Sequence, residues 1–205
     1  MTTLATAPAV PDSVDALAAD GGIVTIRPVR NSDRSALARL HEEASPESLR
    51  LRFFGWPTPG MLAAEVNRLC QPDDGRLLAM LALQGGAAVG VASCERADVS
   101  DPRAEFSLFV AEHHRGRGIG TLLLEHLAAW ARREGIAELL GEVLPGNTLM
   151  LRVARDLSAR AWSQYGSGVM DVGIRLDGGE DLTDPAVDAR DRTAEHASLR
   201  AVLAP

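Results

Sequence analysis

The stretch Arg115-Gly116-Arg117-Gly118-Ile119-Gly120-Thr121 decides the fold, because it joins a predicted strand to a predicted helix. Its glycines allow the backbone to approach an anion closely and to turn its N–H groups inward. The helix that follows adds the partial positive charge of its first turn, which favours a phosphate or pyrophosphate. Arg115 and Arg117 are candidate side-chain donors to the same anion. An ordinary glycine-rich turn is the alternative interpretation, and Thr121 excludes the G-x-G-x-x-G dinucleotide fingerprint.

The elements on either side of this loop follow from the spacing of apolar residues. Runs typical of strands lie before the loop, and apolar residues at helical spacing follow it. The sequence predicts strands at 23–29, 77–84, 87–96, 104–111, 138–144, 160–164 and 169–176, and helices after Asn31 and Ser45 and at 61–70, 119–135 and 148–157. The predicted hairpins and the one strand–helix–strand crossover together indicate an α/β fold (α+β layers). In such a fold, helices cover a mixed sheet.

The composition limits the chemistry and the compartment. All 21 basic residues among the 205 are arginine, which excludes phosphate-loop lysines, pyridoxal Schiff bases and lysine-nucleophile aldolases. Cys70 and Cys94 lie far apart without metal-ligand spacing, so neither a metal site nor a disulfide framework is predicted. No secretory signal or membrane-spanning run is recognisable, so we expect a cytoplasmic protein.

The formal net charge of −7 is concentrated at the two ends of the chain. We expect residues 1–21 to be a flexible lead, residues 22–176 to form the folded domain and residues 177–205 to be an acidic tail. Between positions 21 and 176 the acidic and basic residues balance, with 18 of each. A neutral body lacks the broad basic surface of a nucleic-acid-binding protein, so any bound anion must be held locally.

The loop and its flanks resemble the acetyl-CoA motif of the GNAT acetyltransferases. The resemblance rests on Arg115-x-x-Gly118-x-Gly120, on the strand that enters it and on Pro145-Gly146-Asn147 before a later helix, and it covers residues 23–176 in element order. It implies a mixed, mainly antiparallel sheet of about seven strands flanked by helices. A closer similarity, to bacterial protein-lysine acetyltransferases, rests on Ile26-Arg27-Pro28-Val29-Arg30, Ser45-Pro46-Glu47-Ser48 with Arg52-Phe53-Phe54, and Ala104-Glu105.

The resemblance implies acetyl-CoA as the cofactor and assigns the groups that bind it. Backbone groups of Leu108, Phe109 and Val110 would pair with the pantetheine arm as a neighbouring strand does. The amides of residues 116–121 would hold the pyrophosphate. Asn147 would bond the pantetheine or the cofactor's other amide groups, although its position after a Pro-Gly pair equally fits a helix N-cap.

Glu105 is the candidate general base. An amine of the lysine type has an ordinary pKa of about 10.4, so at neutral pH a neighbouring group must remove its proton. Glu105 matches the glutamate position of the protein-lysine subfamily, and strand alternation places it on one face with Ser107 and Phe109. A solvent-facing glutamate at the start of a strand is the alternative. The resemblance implies that the Val110 N–H stabilises the negative charge that develops on the thioester oxygen.

The acceptor is less determined than the cofactor. The resemblance places Arg52 and Phe54 in the acceptor groove, where ordinary packing would also explain the aromatic ring. Several family members carry a tyrosine acid seven residues after the helix-leading asparagine, where this chain has Ala154. We expect acetyl transfer to a protein lysine, with a small amine (polyamine, aminoglycoside or amino acid) as the alternative acceptor and a non-catalytic acyl-CoA-binding module as the third hypothesis. We expect no nucleic-acid or membrane partner, and the oligomeric state is left open.

Overall fold

The computed structural model describes residues 13–71, 75–157 and 161–176, which form one mixed sheet with helices on both faces. The strands are β1 (Val14–Leu17), β2 (Ile23–Pro28), β3 (Leu77–Gln84), β4 (Ala87–Glu95), β5 (Arg103–Val110), β6 (Glu138–Val143), β7 (Ala161–Gly166) and β8 (Val169–Arg175). The helices are α1 (Arg34–Glu42), α2 (Pro46–Phe53), α3 (Pro59–Leu69), α4 (Ile119–Arg133) and α5 (Thr148–Leu157). Among the helices of these residues, none combines the length and the apolar character needed to cross a bilayer.

The strand pairing changes from antiparallel to parallel between β5 and β6. The strand order is β1-β2-β3-β4-β5-β6-β8-β7, and β5 and β6 are the one parallel pair among the antiparallel neighbours of the described sheet. Three register pairs join the two strands: Arg103–Glu138, Ala104–Leu139 and Glu105–Leu140. The pairing ends after Glu105–Leu140. Residues 106–110 of β5 and 141–143 of β6 therefore separate and leave a gap between them.

Two apolar layers hold the sheet between the helices. On one face, α4 buries Leu123, Leu124 and Leu127 completely, and α5 packs beside it. On the other face, α1 and α3 pack over Leu81 and Phe109. Burial of apolar surface on both sides is the main stabilising contribution to such a sheet. The arrangement confirms the predicted α/β fold of helices layered on a mixed sheet.

The helices α2 and α5, which border the gap, both begin at a side-chain cap. The Ser45 hydroxyl accepts a hydrogen bond from the Ser48 N–H at 3.2 Å, and Pro46 occupies the first turn of α2. The Asn147 side-chain oxygen accepts from the Met150 N–H at 3.2 Å. These caps satisfy amides that a helix start leaves without intrahelical acceptors. The N-cap interpretation of Asn147 is therefore confirmed.

The N-terminal segment differs from the prediction. A flexible lead is expected over residues 1–21, but Val14–Leu17 form β1, which pairs with β2 at the edge of the sheet. Thr25 donates a hydrogen bond to the Asp15 carboxylate at 2.7 Å, and Ala18 is buried in the core. The described sheet therefore has eight strands instead of about seven. A four-residue edge strand depends on its neighbour more than on its own side chains, so its own alternation is a weak signal.

The two ends of the chain are only partly covered by these observations. Residues 1–12 of the predicted lead and the whole predicted acidic tail, 177–205, lie outside the described residues. The elements from β2 to β8 fall within the predicted folded domain, residues 22–176.

Candidate active site

A cleft of about 510 Å³ opens where β5 and β6 separate. Its walls come from β5 and β6, from the loop before α4, from the region of α2 and from the first turns of α5. The predicted site residues that line it are Arg52, Phe54, Glu105, Leu108, Phe109, Val110, Arg115, Gly116, Gly118, Ile119, Gly120, Thr121 and Asn147. The fold thus brings together predicted residues that are far apart in the sequence, with Arg117 as the exception.

The backbone of β5 presents hydrogen-bonding groups to this gap. Successive residues of a strand direct their backbone groups to opposite sides. The Ala111 N–H donates to the carbonyl of Val89 in β4 at 3.0 Å, so the groups of Phe109 are also directed toward β4. By this alternation, the N–H groups of Leu108 and Val110 are directed toward the gap. An extended polar chain can pair with such a row as an added strand does.

The loop before α4 forms the second wall. Gly116 and Gly118 adopt positive φ angles of 71° and 79°, which favour glycine. No side chain caps the start of α4, so its first amides remain available to an anion. A Cβ added at Gly120 would lie 3.3 Å from a methyl carbon of Leu108, so the helix start lies directly against β5. This geometry favours the anion-binding interpretation of the loop over an ordinary turn.

The two arginines of the loop have different orientations. Arg115 lines the cleft, and its guanidinium donates to the Val110 carbonyl at 3.1 Å and to the Ser48 hydroxyl at 2.9 Å. The Arg117 guanidinium instead forms a 2.6 Å ion pair with Asp20, outside the cleft. The prediction that Arg117 is a side-chain donor to the anion is therefore not supported. The physical reason is a competing carboxylate that the turn between β1 and β2 places beside it.

Glu105 lies at the last paired position of β5, where the gap begins. Arg52 lies near enough to attract the charge of Glu105. One guanidinium nitrogen of Arg52 donates to Glu65 at 2.7 Å and to Ser107 at 2.9 Å. Phe54, which follows the last residue of α2, lines the same cleft and has a positive φ of 60°. Arg52 therefore contributes a positive charge that is held in place, although its guanidinium is already paired with a protein carboxylate.

Glu65 balances two guanidinium groups at this end of the site. Its carboxylate accepts from Arg52 and, at 2.8 Å, from Arg68. Burial raises the pKa of Glu65, but the charges of Arg52 and Arg68 outweigh burial and set this pKa at about 2. Burial also lowers the pKa of Arg52, and attraction to Glu65 and Glu105 opposes that effect. Glu65 therefore stays ionised at neutral pH and fixes the Arg52 side chain.

Two features of the site are absent from the sequence prediction. His114 lines the cleft, although it is not among the site residues that the sequence predicts. The second feature is the buried Glu65–Arg68 ion pair. In the sequence, the only indication of this pair is the i,i+3 spacing of the two residues on a helix. Such a spacing is typical of surface pairs, so it does not indicate burial.

The position usually held by a tyrosine acid does not face the cleft. Ala154 is 1% exposed and packs in the main core. Tyr165, the only tyrosine in the sequence, is exposed on β7 and is not among the residues that line the cleft. Within the described residues, the cleft therefore offers no tyrosine to protonate a leaving group.

The separated parallel strands and the uncapped helix start suit an extended, phosphate-bearing ligand held through the main chain. Comparison with known proteins identifies the family of this chain. Residues 36–157 match the acetyltransferase (GNAT) family, and the chain belongs to that family.

Individual relatives agree with the family assignment. The chain is 28% identical over 149 residues to acetyltransferase PA5475 of Pseudomonas aeruginosa, covering 67% of this chain and 73% of that protein. The crystal structure of the GNAT domain of S. lividans PAT has a TM-score of 0.73 at 31% identity, covering 80% of this chain and 96% of that one. The structure of yncA from Salmonella typhimurium with its cofactor acetyl-CoA has a TM-score of 0.56 at 21% identity, covering 79% and 98%. The protein is an acyltransferase that uses acetyl-CoA.

The described residues fit a coenzyme A thioester. The uncapped amides before and at the start of α4 suit phosphate oxygens. The backbone row of Leu108 and Val110 suits an extended arm that contains amide groups. The same gap continues to Glu105, where an acyl end can meet an ionisable side chain.

Proposed function

We propose that the protein transfers the acetyl group of acetyl-CoA to the side-chain amine of a protein lysine, with Glu105 as the general base. The observation that carries this proposal is the position of Glu105 at the point where β5 and β6 separate, on the lining of the cleft. The similarity to the GNAT domain of S. lividans PAT, a protein acetyltransferase, supports a protein acceptor.

The reaction requires a neutral amine beside the thioester. A lysine amine is mostly protonated at neutral pH, so Glu105 removes its proton directly or through one water. Acetyl-CoA would supply the thioester: as the amine nitrogen bonds to its carbonyl carbon, the carbon–sulfur bond breaks and coenzyme A leaves as the thiolate, which takes up a proton from Glu105 or from water. The Val110 N–H, directed toward the gap, donates to the carbonyl oxygen as it gains negative charge. The positive charge of Arg52 attracts the Glu105 carboxylate.

We also propose the cytoplasm as the compartment. Cys70 and Cys94 are buried free thiols, and unpaired cysteines are typical of reducing compartments.

Replacing Glu105 by Gln tests the assignment of the base. We expect E105Q to lower kcat about 100-fold or more, because general base catalysis contributes about 10²–10⁴-fold. The Kd for coenzyme A should stay within about twofold, since Glu105 lies away from the amides of the loop. Turnover is followed by thiol release, and cofactor binding by calorimetry.

Glu142 provides a matched control, because it is a second carboxylate that lines the cleft from β6. E142Q should keep most of the activity. Normal turnover in E105Q would remove Glu105 from the mechanism, and equal losses in both variants would indicate a general effect of charge.

The acceptor class is tested by incubating the protein with cell extract and isotope-labelled acetyl-CoA. We expect mass spectrometry to find label on lysine side chains of proteins. Label confined to polyamines, aminoglycosides or amino acids would overturn the protein acceptor. Tight coenzyme A binding without thiol release from any acceptor would indicate a binding module.

A further inference from the structure

His114 is a polar side chain of the cleft without a role in the chemistry described above. It lies in the short 3-10 turn Glu112–His114 between β5 and the loop, and it lines the cleft. The adjacent His113 is exposed and is not among the residues that line the cleft. His114, and not His113, therefore borders the cofactor site.

Two neighbouring residues determine which nitrogen of His114 carries the proton. Arg117 Nη1 lies 2.8 Å from His114 Nδ1. A guanidinium can only donate, so Nδ1 must be the acceptor and the ring proton must lie on Nε2. Asp20 holds Arg117 through the 2.6 Å ion pair, and the Ala19 N–H donates to the Arg117 carbonyl at 2.9 Å. The turn between β1 and β2 thus sets the tautomer of His114.

The ring is also kept neutral. Burial and the positive charges of Arg117 and His113 lower the pKa of His114, and the carboxylate of Asp20 opposes them. A neutral ring with an acceptor at Nδ1 has one donor, the Nε2–H. Within the described residues, the hydrogen bonding of this ring uses Nδ1 alone. The Nε2–H is therefore the one group of the ring that can donate to a ligand bound in the cleft.

We propose that His114 donates its Nε2–H to a phosphate oxygen of coenzyme A, with Arg117 and Asp20 as positioning residues that hold the required tautomer. Phosphate oxygens accept hydrogen bonds strongly because they are charged. Arg117 lies outside the cleft, but in this role it acts on the cofactor site through its hydrogen bond to His114. The pyrophosphate and the 3′-phosphate are two sources of the same acceptor oxygen.

The test measures the Kd of coenzyme A by calorimetry for His114→Ala, His114→Gln and the matched control His113→Ala. We expect H114A to weaken binding about 10-fold, because a hydrogen bond to a charged group is lost. H114Q should recover most of this loss, since its amide nitrogen can occupy the Nε2 position. H113A should bind as the unmodified protein does. Dephospho-coenzyme A distinguishes the sources: the H114A penalty disappears if the 3′-phosphate is contacted and persists if the pyrophosphate is.

A second measurement follows the His114 ring nitrogens by ¹⁵N NMR in the protein without ligand. We expect the Nε2–H tautomer, and its replacement by a mixture of tautomers in Asp20→Asn and in Arg117→Gln. Thermal unfolding of each variant checks that the fold is kept. An unchanged Kd in H114A, equal losses in H114A and H113A, or a proton on Nδ1 would each overturn the proposal.

Discussion

Glu65 is a buried carboxylate whose ionisation contributes to stability as well as to the site. Its side chain is 11% exposed and lies between Arg52 and Arg68. Because its pKa is about 2 instead of the ordinary 4.5, it stabilises the fold above pH 4.5, and this contribution is lost as the pH falls toward 2. The shift corresponds to about 3 kcal/mol.

We therefore expect Glu65→Gln to lower the free energy of unfolding at pH 7 by about 3 kcal/mol, since it leaves Arg52 and Arg68 without their shared carboxylate. The variant should also lose part of the pH dependence between 4.5 and 2. Urea unfolding across this range is the measurement. Glu47→Gln, at an exposed pair with Arg50, is the control and should change stability far less. An E65Q protein as stable as the unmodified one at pH 7 would contradict this interpretation.

Single residues also show where sequence interpretation reaches its limit. Glu105 could be predicted because its motif places it at a strand start, and the cleft includes it. The orientation of Arg117 could not, since its partner Asp20 comes from the N-terminal turn between β1 and β2, far away in the sequence. The tautomer of His114 depends on that same partner. Contacts between distant segments leave no local pattern in the sequence. The arginines of the loop could therefore be recognised, but the orientations of their side chains could not.

Trp162 and Gly173 illustrate how β7 and β8 depend on each other. The two residues are register partners, and a Cβ added at Gly173 would overlap the Trp162 indole. The indole N–H donates to Glu138 on β6 at 3.0 Å, so the ring lies across β8. Glycine at position 173 is therefore required by space rather than by a positive φ.

We expect Gly173→Ala to displace the indole and to destabilise the protein by about 1–3 kcal/mol, as overpacking does. Urea unfolding gives the free energy, and near-UV circular dichroism reports the displaced ring. Gly55→Ala is the control, because a Cβ there meets nothing within 4 Å. In a Trp162→Ala background the cost of G173A should largely disappear. If the cost were the same in both backgrounds, the indole would not be its cause.

Elements differ in how far their own sequence specifies them. α4 has a continuous apolar face, and Gly85-Gly86 marks the β3–β4 hairpin, so both could be predicted from local patterns. β1 could not, because its four residues are held by pairing with β2. The gap between β5 and β6 is also beyond local patterns, since it depends on where a parallel register ends. The expectation that the backbone of Leu108, Phe109 and Val110 pairs with the cofactor came from the family resemblance, not from periodicity.

At the scale of the whole molecule, the sheet consists of two parts that meet at a short seam. β1–β5 form one part and β6–β8 the other, and three register pairs join them. The main core, in which α4 and α5 pack, also spans both parts. A ligand that pairs with β5 inside the gap and reaches α4 and α5 would add contacts across this seam. Cofactor binding should therefore stabilise the whole fold and protect specific amides.

We expect coenzyme A at 100 times its Kd to raise the free energy of unfolding by about 2.7 kcal/mol, if it binds the folded state alone. Residue-resolved hydrogen exchange should show the largest added protection at Leu108 and Val110, whose N–H groups are directed toward the gap. Ser107 and Phe109 should change less, because their amides are already directed to β4. Residues of β1 and β2 remote from the loop serve as the internal control. Equal added protection at all four β5 amides would contradict strand-like pairing with the cofactor and would leave only a general stabilisation.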